Sequence, residues 1–73
     1  MTQRERIRKA AKEALTAGGE PRLAFKVMDA PEGLPLEHLE RRFQALLDTV
    51  PEEEDRVRLA RMVWGSLEGE QGE

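Results

Sequence analysis

Residues that could carry catalysis are few in this chain. His38 is the only imidazole and there is no cysteine, so one chain holds neither a multi-histidine metal site nor a thiolate nucleophile. Ser66 and the threonines have no base other than His38, and no glycine-rich phosphate loop is present. We therefore expect no enzyme activity, no catalytic or metal-binding residues and no cofactor. His38 is expected at the surface, with a pH-responsive contact at an interface as the alternative.

The densest group of carboxylates is the run from Glu52 to Asp55. A cation site or an acid–base pair needs carboxylates that converge, commonly across a cleft. Consecutive residues instead point in different directions around a helix. Because acidic residues stabilise the positive end of the helix dipole, this run predicts a helix start. Thr49 and Glu52 have capping-box spacing, and Pro51 is expected in the first turn.

Basic residues are concentrated near the beginning of the chain. Residues 1–26 carry seven Lys/Arg against three Asp/Glu, although the net charge is −3. Arg4, Arg8 and Lys12 recur every four residues with Lys9 nearby, and such a stripe can neutralise the phosphates of a nucleic acid. Aromatic residues for base stacking are not interleaved with it, and a helix-turn-helix of helices 3 and 4 would present acids to DNA. The alternatives are a solvated face, internal pairing with the acidic remainder, and an acidic lipid surface.

The most apolar stretch is the predicted C-terminal helix, residues 51–67. At ~100° per residue its apolar arc covers roughly 220°, about twice that of an ordinary surface helix. Only three other helices can cover this arc, and one has an alanine face while another has about two turns. We therefore predict a protein interface on this helix, most simply that of a two-fold homodimer. The predicted interface residues are Leu59, Met62, Val63, Trp64 and Leu67.

Three further helices precede this one in the predicted all-α fold. Helix 1 covers about residues 3–17, after Thr2 in a capping position; helix 2 covers 21–29 and helix 3 covers 35–48. Helix 2 is short and also permits a strand, but no second strand exists to pair with it. The short link between helices 3 and 4 predicts an antiparallel hairpin. The prediction is a small helical bundle of three long helices and one short helix, with 1–67 as one domain and 68–73 as a disordered acidic tail.

Length and composition indicate the number of domains, the size of the core, the compartment and the kind of source organism. A chain of 73 residues forms one domain with a small core, and without cysteine it has no disulfide to stabilise it. No run approaches the ~20 apolar residues of a membrane span, and the N-terminus lacks a signal-peptide core, so we expect a cytoplasmic protein. The sequence has no Asn, Cys or Tyr and uses Arg more than Lys, which fits a thermophilic source or a GC-rich genome.

Two functions are compatible with these patterns. The first is a non-catalytic helical module for protein–protein interaction that self-associates through its C-terminal helix. The alternative is a small nucleic-acid-associated regulator. In that case the basic face of helix 1 would bind the nucleic acid through Arg4, Arg8, Lys9 and Lys12.

Overall fold

The structure, a computed structural model, describes residues 2–65. Its four α-helices are α1 (Gln3–Thr16), α2 (Pro21–Met28), α3 (Leu36–Leu47) and α4 (Glu53–Ala60), and a π-helical segment, Arg61–Gly65, continues α4. No strand occurs in this part of the chain, so the all-α prediction and the helical interpretation of residues 21–28 are confirmed. The predicted tail, residues 68–73, and Leu67 lie outside the described residues.

The prediction of three long helices was wrong. The helices contain 14, 8, 12 and 8 residues, so only α1 and α3 are long. The α-helical hydrogen bonding of the last element ends at Ala60, where the five-residue π turn, Arg61–Gly65, begins. Sequence periodicity alone does not mark this change, because the apolar residues continue through it.

The capping residue was predicted correctly at α1 and wrongly at α4. The Thr2 hydroxyl accepts a hydrogen bond from the Glu5 backbone N–H at 3.2 Å, as a capping residue should. At α4 the cap position belongs to Glu52, which makes no side-chain cap bond, and Pro51 precedes it. Thr49 is engaged elsewhere: its hydroxyl donates to the Leu46 carbonyl and accepts from the Glu20 N–H, at 2.7 and 2.8 Å. It therefore joins the end of α3 to the start of α2.

The central helix of the fold is α1, which packs against α2, α3, α4 and the π turn. Its inner face consists of Ile7 and three alanines, all fully buried. Each alanine buries little area, but its small side chain lets neighbouring backbones approach closely. For this reason α1 can pack against every other helical element. The C-terminal helix, by contrast, lies to one side and contributes Leu59 to the core. The most apolar stretch of the sequence is therefore not the centre of the fold.

Larger side chains from α3 and the last helix complete the core. The largest fully buried ones are Phe43, Ile7, Leu39, Leu46, Leu59, Val27, Val50 and Val63. α4 packs mainly on α1 and less on α3, and α2 makes no comparable contact with α4. The antiparallel orientation of helices 3 and 4 stays a prediction. Among the described residues no helix has the length and apolarity to cross a bilayer.

Candidate functional site

The predicted interface residues of the last helix fall into two groups. Leu59 and Val63 are fully buried inside the subunit, so their side chains are part of its own core. Met62 and Trp64 pack against that core and are only partly buried. The surface that a second molecule can reach on this helix is consequently narrower than the predicted arc.

Trp64 owes its position to the π turn. It lies seven residues after Val57, and in a continuous α-helix these two side chains would point in nearly the same direction. Val57 is 43% exposed, whereas the Trp64 ring stacks on Phe43 of α3 with a centroid distance of 5.3 Å. A π turn holds more residues than an α turn, so each residue rotates less about the axis. The π turn thereby moves Trp64 away from the Val57 side and towards α3.

The outward face of α4 forms an open groove, which we call the α4 face. Its volume is 650 Å³ and it is lined by Glu53, Glu54, Val57, Arg58, Arg61 and Met62. Val57 and Met62 provide the apolar part, with acids towards the start of the helix and arginines towards its end. Val57 is not among the interface residues predicted from the sequence. On the regular α-helix Val57 lies about 160° from Leu59, so the burial of Leu59 leaves Val57 facing away from the core.

The basic face of α1 is partly used inside the subunit. Arg4 donates to the carbonyls of Pro31 and Leu34, at 3.3 and 2.5 Å, and Arg8 donates to the carbonyl of Ala30 at 2.6 Å. Both guanidinium groups thus hold the loop between α2 and α3 against α1. Lys9 and Lys12 are exposed. The four residues predicted for nucleic-acid binding therefore do not form one uniformly available stripe.

The groups considered for catalysis or metal binding are dispersed. The His38 Nε2 lies 4.0 Å from the Glu37 carboxylate, and both residues are exposed on α3. Glu52, Glu53 and Glu54 are exposed at the start of α4. Among residues 2–65 no three His, Cys, Asp or Glu side chains converge to hold a metal ion.

A second surface feature was not predicted from the sequence. Phe25 of α2 is 52% exposed. It borders a shallow notch of 340 Å³, which we call the Phe25 notch. The notch is lined by Phe25, Lys26, Asp29, Ala30, Pro31 and Arg42.

The α4 face and the Phe25 notch are the two exposed apolar sites of the described chain, since Phe25 and Val57 are its exposed large hydrophobic residues. Comparison of the chain with models of protein families, with curated proteins and with solved structures gave no match.

Proposed function

We propose that this protein is a non-catalytic helical interaction module that forms a homodimer through the α4 face. The observation that carries the proposal is the order of residues along that face. Glu53 lies four residues before Val57 and Arg61 lies four residues after it, so opposite charges flank an exposed apolar centre.

This order is self-complementary about a two-fold axis. In a two-fold dimer the same patch meets itself, and the two copies of a helix run antiparallel when the axis is perpendicular to them. With the axis at Val57, Glu53 of one copy lies beside Arg61 of the other, and this contact occurs twice. A parallel pairing would instead place like charges together, which is unfavourable. The charge pattern thus supports a second copy as the occupant.

The proposed dimer is modest in strength. A standard interface buries about 800 Å² per partner, which is roughly a sixth of the 4898 Å² accessible surface of this subunit. Val57 and Met62 provide a small apolar centre. Leu67 remains part of the proposed interface on sequence grounds. We expect an affinity near the micromolar range, at the weak end for specific complexes.

The direct test of the interface is the substitution Val57→Glu. It would bring two carboxylates together at the axis, so we expect a monomer where the wild-type chain is a dimer. Because Val57 is exposed, the helix content of the subunit should be unchanged by circular dichroism. The measurement is size-exclusion chromatography with light scattering across the micromolar range.

The matched control is Ala45→Glu, which adds the same charge at an exposed position of α3. This variant should remain dimeric. A wild-type chain that stays monomeric up to about 1 mM would contradict the proposal, since the interface would then be weaker than specific complexes are. Dimerisation that persists in the Val57 variant would assign the interface to another surface.

A further inference from the structure

The Phe25 notch combines an exposed aromatic ring with cations from two helices. Arg22 and Lys26 lie three residues before and one residue after Phe25 on α2, and both are exposed. Arg42 reaches across from α3, where its Nη1 donates to the Lys26 carbonyl at 3.4 Å. The ring is therefore flanked by positive charge on two sides, and Asp29 is the acidic residue among those that line the notch.

Two of these cations have no partner within the described part of the chain. The side chains of Arg22 and Lys26 form neither a hydrogen bond nor an ion pair with residues 2–65. Their charges are thus available to a ligand at little cost in internal contacts. An exposed phenyl ring beside unpaired cations is the combination that binds single-stranded nucleic acid, where bases stack on rings and cations meet phosphates.

The α2 side of the notch is also separate from the acids of the last helix. α2 packs on α1 and α3 and makes no comparable contact with α4, whose start carries Glu52 to Asp55. A polyanion at the notch would therefore avoid the strongest negative charge in the described chain. It would also leave the α4 face free, so the two surfaces can be occupied together.

We infer that the Phe25 notch binds single-stranded nucleic acid, with one base stacked on Phe25 and flanking phosphates held by Arg22, Lys26 and Arg42. A peptide helix is a poorer fit, because helix-in-groove binding needs several apolar anchors in a row and this surface exposes one ring. A duplex is also a poorer fit, because its bases are already stacked and their faces are closed to the ring.

The test is fluorescence anisotropy with a labelled oligothymidine of about 15 nucleotides at roughly 50 mM salt. Wild-type protein should bind, and the affinity should fall as salt rises, with a log–log slope near −2 for three neutralised phosphates. Phe25→Leu keeps an apolar side chain but removes the ring, so it should weaken binding by about fivefold or more. A duplex of equal length should bind more weakly than the single strand.

The charge contribution is tested with Lys26→Glu and its control Lys12→Glu, the same change at an exposed site of α1. Lys26→Glu should lower the affinity and flatten the salt slope, whereas Lys12→Glu should change both much less. No binding at low salt, equal binding by Phe25→Leu, or equal losses from the two lysine variants would each overturn the assignment. Binding of an acidic helical peptide without binding of the oligonucleotide would also overturn it and make the notch a protein site.

Discussion

Gly19 lies where the end of α1 meets the C-terminal end of α3. Its N–H donates to the Ala14 carbonyl at 2.8 Å, and a Cβ atom added to it would lie 3.1 Å from that oxygen. The same Cβ would approach Leu46 Cδ1 to 3.2 Å and Val50 Cγ2 to 3.3 Å. The absence of a side chain therefore lets the turn after α1 rest directly on the core.

Gly19→Ala should destabilise the protein by about 1–3 kcal/mol, because the methyl group overpacks this contact. Gly33→Ala is the matched control: an added Cβ meets nothing within 4 Å, and the backbone there does not have positive φ. That change should stabilise slightly, by about 0.4–1 kcal/mol, since alanine restricts the unfolded chain. Urea denaturation followed by Trp64 fluorescence measures both, and equal effects at the two glycines would contradict the packing described.

Arg4 and Arg8 illustrate which residue roles can be predicted from sequence and which cannot. Their spacing correctly places them on one side of α1, but spacing does not reveal that this side faces the loop after α2. Carbonyls of residues 30, 31 and 34 accept their hydrogen bonds, and loop carbonyls carry no sequence signature. Phe25 is the opposite case, a large apolar residue that is exposed. Nothing in the sequence of the short apolar helix that carries it predicts this exposure.

The last helix is the element that sequence reasoning described least well. Its existence and approximate start were predictable from the acidic run and from the apolar residues that follow it. The direction of each side chain was not, because a constant ~100° rotation fails once the π turn begins at Arg61. α1 was misjudged for a different reason: the small area of its alanines concealed how closely they allow other helices to pack.

The stacked pair formed by Phe43 and Trp64 fixes the π turn against α3. In a double-mutant cycle with Phe43→Leu and Trp64→Leu, the double variant should lose about 0.5–1.5 kcal/mol less stability than the sum of the two single losses, because each single change already removes the ring contact. Equilibrium unfolding followed by far-UV circular dichroism is the measurement, since it does not depend on the tryptophan. Strictly additive losses would show that the two rings do not interact and would contradict this role of the stacked pair.

As a whole, the described molecule separates its two exposed apolar sites and gives them different charge environments. The α4 face mixes acids and arginines in an order that suits a second copy of itself. Among the charged residues that line the Phe25 notch, two are cations and one is an acid, and α2 and α4 make no comparable contact. A dimer formed through α4 would present two such notches, which would strengthen binding to one strand if both could engage it.

The most direct measurement of the proposed dimer is sedimentation equilibrium on variants in which the charges of Glu53 and Arg61 are reversed singly and together. Glu53→Arg alone and Arg61→Glu alone each place like charges together at both ends of the antiparallel contact, so each should weaken dimerisation by about tenfold or more. The double variant restores opposite charges in reversed order and should recover most of the wild-type affinity. Glu37→Arg, an equivalent charge change on exposed α3, should have no effect. Equal association constants across the series, or a double variant as weak as its two parents, would contradict self-association through α4.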